Sequence, residues 1–209
     1  MMSLKAYRRL RVLAAAAMLA ACAPQTEIVK LYDAGGTDNR PYERLLVVAI
    51  TADSDSRRQL EDMISTQLQQ AGVASVSAHT RTGAKTVLKQ QEVNEAARES
   101  GADAILITHI VSTDVQAEKQ EGRTNFRAEC RGGGDPADYF LYDYDELKEP
   151  DTVRVAHTVV AVTNLYDAAD RRRLWTIQST CFDKETMDEV LLEEAAAIAR
   201  QLHADRLID

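Results

Sequence analysis

Arg44-Leu-Leu-Val-Val-Ala-Ile-Thr51 is the stretch from which the fold follows. Leu45 to Ile50 is continuously apolar, half of it is β-branched, and it stops at the polar run Thr51 to Asp55. A short apolar run without alternation fits a strand buried on both faces. A helix is expected next. Ser56 with Gln59 can form a capping box. Leu60, Met63, Ile64, Leu68 and Ala71 fall on one helical face, and Gly72 closes it.

The same unit repeats downstream. Val73 to Ala78 reads as a second, weakly apolar strand. Residues 79–89 are a polar connection. Gln90 to Ser100 reads as a helix with Val93, Ala96 and Ala97 inward, stopped by Gly101. Ala104 to Val111 is a third strand. This β-α-β-α-β order argues for parallel strands with right-handed crossovers. Residues 113–150 lack sustained periodicity. They hold Gly132-Gly133-Gly134, Pro136, Pro150 and an acidic-aromatic run from Asp138 to Glu146. They read as a long loop, and not as a P-loop, because no Lys-Ser/Thr follows the glycines. Thr152 to Tyr166, the turn Asp167–Asp170 and Arg173 to Cys181 read as an antiparallel hairpin. The chain then turns helical from about Lys184, with Asp183 as its cap and an apolar stripe at Met187, Leu191, Ala195, Ile198 and Leu202. The expected fold is an α/β sandwich of two or three layers on one mixed sheet of about five strands. Numbered along the chain, their order is 2-1-3-4-5. A single domain spans 44–209.

The N-terminus is of another kind. Lys5, Arg8, Arg9 and Arg11 precede the apolar run Val12 to Ala20. That run is too short to cross a bilayer, which takes roughly 20 apolar residues. With the small residues before Cys22 it fits a secretory signal over 1–21. Leu19-Ala20-Ala21-Cys22 resembles the lipobox of bacterial lipoproteins, in which the cysteine is acylated. Several acyl chains hold a protein firmly where one does not. Residues 22–43, with Pro24, Gly35-Gly36 and Pro41, are then a lipidated tether. Ala23 after the cysteine, in place of an Asp, implies sorting to the outer membrane of a Gram-negative bacterium, on its periplasmic face.

Charge narrows the function. The chain carries a formal net charge of −8, and residues 1–21 hold four basic residues and no acidic one. Without them the charge is −12. Nucleic-acid binding, which needs Lys and Arg for phosphate contacts, is not expected. The two remaining cysteines, Cys130 and Cys181, are expected to pair in an oxidising compartment.

Three features together carry a resemblance: the lipobox, Gly101-Ala102-Asp103 at the entry to the third strand, and the hairpin with Leu165-Tyr166-Asp167 before and Leu174-Trp175 after its turn. The chain resembles the superfamily of the curli-secretion lipoprotein, the penicillin-binding-protein activator lipoproteins and the TolB N-terminal-like domains, over about residues 43–208. The resemblance implies a non-enzymatic role in envelope assembly or regulation, with self-association left open. In the secretion-pore members a membrane hairpin stands where this chain has its acidic 113–150 segment, which argues against a pore.

No catalytic motif is present. Ser54 and Ser56 sit at a strand-to-helix turn without the G-x-S-x-G of a hydrolase, so a hydrolase is the weakest reading. Asp53, Ser54, Ser56 and Arg57 border a helix N-terminus that could take a small anion. A small-molecule or glycan site at the C-terminal ends of the first three strands is the alternative function. Tyr139, Phe140, Tyr142 and Tyr144 are aromatics in a polar segment, a composition enriched at partner surfaces. His109 and His157 lie on strands expected to neighbour each other, yet zinc needs three or four ligands. Neither a metal nor a cofactor is expected. The partners expected are the membrane, through the lipid, and another envelope protein.

Overall fold

The computed structural model describes residues 26–34, 41–83, 85, 87–130 and 142–209, with 125–130 and 142–147 as backbone alone. The signal segment and Cys22 lie outside the described residues, as do Tyr139 and Phe140. In chain order the elements are β1 (Thr26–Asp33), β2 (Arg44–Ile50), α1 (Ser54–Gln70), β3 (Ala74–Ser77), α2 (His79–Thr82), α3 (Gln90–Ser100), β4 (Ala104–Gln120), β5 (Thr124–Cys130), β6 (Tyr142–Lys148), β7 (Thr152–Asp167), β8 (Arg173–Lys184) and α4 (Met187–Ala204).

One mixed sheet has six strands in the order β1-β8-β7-β4-β2-β3, and β5 and β6 pair separately. The α/β class holds. The expected five-strand order does not describe this sheet, because a sixth strand lies at its edge. It is β1, from residues read as tether. It runs antiparallel to β8, from Thr26 opposite Cys181 to Asp33 opposite Trp175. Its inward face offers one apolar side chain, Ile28, which packs on the core. Its other anchors are polar. Lys30 reaches Asp205, and the Arg173 guanidinium lies 4.5 Å over the Tyr32 ring. No apolar periodicity could reveal such a strand.

β2 pairs in parallel with β3 and β4, as buried central strands of βαβ units do. Leu45, Val47 and Ala49 face one side, where α1 and α4 cover them with Leu60, Ile64, Leu68, Leu191 and Ile198. Leu46 and Val48 face the other side, where α3 supplies Ala96 and Ala97. Two helices therefore cover one face, and a single eleven-residue helix covers one end of the other. Gly101 ends α3 in the left-handed conformation, φ 65°, which glycine adopts without a Cβ penalty.

The helix caps differ from those expected. Asp53, not Ser56, caps α1. Its carboxylate accepts the amides of Asp55 and Ser56 at 3.0 and 2.8 Å. Thr186, not Asp183, caps α4, accepting the Glu189 amide at 3.2 Å. Asp183 stands at φ 54° and pairs with Arg154 at 2.8 Å.

The 113–150 segment is not one long loop. β4 runs on to Gln120 and pairs with β7 down to Thr152. β8 stops at Lys184, opposite His157, so the outer parts of β4 and β7 project as a two-stranded arm. At 121–123 and 149–151 the ladder is interrupted, and it resumes with Thr124 opposite Lys148. Gly122 is needed at that junction, since a Cβ there would overlap the carbonyl of Glu149. Strands thus stand where a loop was expected, and only the acidic content of the segment still argues against a membrane hairpin. Among the described residues no helix is long and apolar enough to cross a membrane.

Cys181 is buried and has no disulfide partner among the described residues; the side chain of Cys130, its expected partner, lies outside them. Cys181 packs beside Val159 and Val190, and burial raises its pKa. Val159 lies opposite both Cys181 and Thr113, whereas Cys130 sits near the far end of the ribbon.

Candidate functional site

The C-terminal end of β2 leads to two different arrangements, one on each side of the sheet. On the α1 side a buried polar knot closes the structure. Glu61 is fully buried and Arg57 is 1% exposed. Arg57 Nε donates to Glu61 Oε1 at 2.9 Å, which also accepts the Ala49 amide at 3.1 Å. Glu61 Oε2 accepts the His79 amide at 2.7 Å and lies 3.0 Å from His79 Nδ1. Arg57 further donates to Thr82 Oγ1 at 2.8 Å and to the Lys85 carbonyl. The knot therefore fastens α2 and the following segment to α1 and β2.

The residues of the expected anion site border this knot. Asp53 occupies the first free amides of α1, and its pKa is lowered chiefly by the Ser56 amide hydrogen bond. Arg57 faces inward and is committed to Glu61. Ser54 and Ser56 are half-buried in the first turn of α1. The four residues stand together, with the Asp53 carboxylate and the Arg57 guanidinium engaged within the fold. The i,i+4 spacing of Arg57 and Glu61 was visible in the sequence. Their burial was not.

On the opposite side lies a cleft of about 520 Å³. Its floor is the uncovered end of the sheet: Val48 of β2, Ile105 and Ile107 of β4, and Tyr166 of β7. Val93 of α3 and Leu88 form a wall. The cleft reaches Thr51, just past the C-terminal end of β2. This is where open α/β sheets place ligands. A wider, more polar hollow of about 750 Å³ adjoins it and shares Asn94, Ile105 and Arg171.

Two of the sequence features behind the resemblance, Gly101-Ala102-Asp103 and the turn at Asp167, meet at this hollow. Asp103 accepts the amides of Glu43 and Arg44 at 2.8 and 3.1 Å. Its own carbonyl accepts the Ala168 amide at 3.0 Å. Asp167 accepts the amides of Ala169 and Asp170 at 2.7 and 3.2 Å. The Gly-Ala-Asp entry and the Asp of the hairpin turn thus lock the start of β4 against the β7–β8 turn. Their carboxylates are consumed in that geometry. Arg171, in the same turn, adopts φ 63°, an unfavourable conformation for a residue with a Cβ.

The other expected sites disperse. β4 and β7 are neighbours, but His109 lies opposite Val162 and His157 opposite Val115, so the two histidines are not partners. Tyr142 and Tyr144 are in β6, opposite Cys130 and Ala128, and their side chains lie outside the described residues. Among the described residues no group of three metal-ligating side chains is assembled. One polar pair went unseen in the sequence: Glu194 of α4, 2% exposed, accepts Ser179 Oγ, while its other oxygen has no partner among the described residues. Burial raises the Glu194 pKa.

No family model and no curated protein matches the chain. Solved structures do. The PelC dodecamer from Paraburkholderia phytofirmans is 13% identical, over 88% of this chain and 99% of that one, with a TM-score of 0.45. Lipoprotein GNA1162 from Neisseria meningitidis is 14% identical, over 77% of this chain and 98% of that one, with a TM-score of 0.38. At these values the functional reading rests on the chain's own residues.

Proposed function

We propose that this chain is a non-enzymatic lipoprotein of the outer membrane, anchored through Cys22 and facing the periplasm, that works by contact with another envelope protein. The contact element in this reading is the projecting β4–β7 arm. One observation carries it. Val115 and Val153 remain 55% and 66% exposed on the arm. By register they share a face with Ala117, Val155, His157 and Lys119, while Asp114, Gln116, Glu118, Arg154, Ala156 and Thr158 share the other. A two-stranded ribbon that leaves Val115 and Val153 uncovered on one face is suited to packing on a second protein.

The supporting sequence features are the lipobox, the signal-like N-terminus and the absence of any catalytic motif. The test is photocrosslinking in living cells from a reactive residue placed at Val115, with Gln116 on the opposite face as control. Adducts with a defined envelope protein from 115 but not from 116 support the reading. Adducts with a second copy of this chain make the arm a self-assembly surface. Equal, diffuse labelling from both positions refutes the arm as a contact. Lipidation is read separately, by the mass of the N-terminal peptide.

A further inference from the structure

We propose that the cleft on the open face of the sheet binds a single-chain amphipathic anion, a carboxylate on an unbranched hydrocarbon tail. The argument begins with what lines it. Val48, Val93, Ile105, Ile107 and Tyr166 make an apolar trough, and two further lining residues, Ile50 and Val87, stay 45% and 80% exposed. That is apolar surface left in water, which a hydrocarbon tail would cover at a gain proportional to the area removed. At about 520 Å³ the cleft lies within the roughly 300–1,000 Å³ of small-molecule sites.

Charge selects the head group. The chain is acidic overall, yet among the described residues no carboxylate lines this cleft, and the one charged lining residue is Arg171. Arg171 is exposed, and its guanidinium has no hydrogen-bond or ion-pair partner among the described residues. A planar guanidinium matches a carboxylate in a bidentate pair. Gln90 and Asn94, four residues apart on α3, add two side-chain amides on the same wall. A glycan would need many more polar partners than this lining offers. Binding here does not depend on what the β4–β7 arm contacts.

The test uses a decanoate analogue with a diazirine at its tail, photolysed with the full chain and mapped by peptide mass. Saturable adducts are expected on the peptides holding Val93, Ile107 or Tyr166. Arg171→Gln should cut labelling about tenfold, the size of a charge-assisted hydrogen bond, and leave labelling by the matching diazirine decanol unchanged. Unlabelled decanoate should compete about tenfold better than octanoate, because each added methylene is buried. Val93→Trp, which fills the trough, should abolish labelling while its thermal midpoint confirms folding. Adducts scattered outside the cleft, equal labelling of Arg171→Gln, or retained labelling in a folded Val93→Trp would each overturn the proposal.

Discussion

Trp175 Nε1 donates to Asp205 Oδ2 at 2.7 Å. The other oxygen of that carboxylate meets Lys30 Nζ at 2.6 Å, and Gln201 Nε2 reaches Oδ2 at 3.0 Å. One side chain at the C-terminal end of α4 thus gathers the buried indole of β8, the edge strand β1 and its own helix. Burial alone would raise the Asp205 pKa. The hydrogen bonds from Lys30, Gln201 and Trp175 outweigh it, and the pKa is lowered. A lowered carboxylate contributes stability above its ordinary value of 3.8, and that contribution disappears as pH falls through the folded value. Asp205→Ala should cost about 1–3 kcal/mol at neutral pH, since it strands the indole N–H. In urea titrations the gap between wild type and variant should shrink below pH 4. A gap independent of pH would show that the carboxylate charge contributes nothing.

Glu194 should behave in the opposite sense. Its pKa is raised by burial, because ionisation inside the sheet–helix interface is costly. The unfolded chain ionises near 4.5. Stability is therefore full below that pH and falls as pH rises through the raised folded value. Glu194→Gln keeps an acceptor for Ser179 and removes the ionisation. Denaturation at pH 4, 6 and 8 should show wild type losing stability over this range while the variant stays level. Parallel slopes would mean that Glu194 ionises freely in the fold.

The Arg57–Glu61 pair offers a test of the knot that anchors α2. Glu61→Leu leaves a guanidinium buried without its carboxylate, and a broken buried pair costs about 3–5 kcal/mol. Replacing both with apolar residues, Arg57→Met with Glu61→Leu, should recover much of that loss. The amides of Ala49 and His79 would still lack their acceptor, so recovery should be incomplete. Calorimetric unfolding of the three proteins measures the difference. If the double variant were no better than the single, the backbone amides rather than the ion pair would dominate.

The sequence exposes the central part of this fold because Leu45 to Ile50 and Ala104 to Leu106 are apolar on both faces. It hides β1 because that strand's inward positions are Thr26, Ile28 and Lys30, and a lysine whose head reaches Asp205 does not read as core. The arm is hidden for a related reason. Beyond Val111 both faces of β4 are exposed, so no burial imposes a period. Asp103 and Asp167 were legible as motif residues, but their meeting through the Ala168 amide depends on tertiary approach. The cleft arises from what does not cover the sheet. A sequence records the faces of its helices, not the gaps between them.

Gly122 makes a local prediction about the arm. Any side chain there would collide with the backbone of Glu149, which a neighbouring rotamer cannot relieve. Gly122→Val should break the junction between the β4–β7 and β5–β6 ladders. The core lies elsewhere, so the thermal midpoint should hardly move. Hydrogen exchange should accelerate at Gly122 and Glu149, whose amides bond to Asp151 and Arg123 across the junction. Unchanged exchange there would show that the ladder bends to accept a Cβ.

Cys181 distinguishes a buried thiol from a disulfide. Its backbone is held between Thr26 of β1 and Val159 of β7, and its side chain is closed in by Val159 and Val190. The thiolate is the reactive form, and burial raises this thiol's pKa. Native protein should therefore label at Cys181 only as fast as β1 opens, and denatured protein at once. Cutting the Lys30 tie to Asp205 with Lys30→Ala should speed native labelling, because β1 is the edge strand whose Thr26 pairs with Cys181. Global stability should change by no more than about 1 kcal/mol, since Lys30 remains partly open to solvent and pairs of that kind contribute little. Labelling that follows the unfolding equilibrium alone, identical in both proteins, would mean that β1 is released only with the whole sheet.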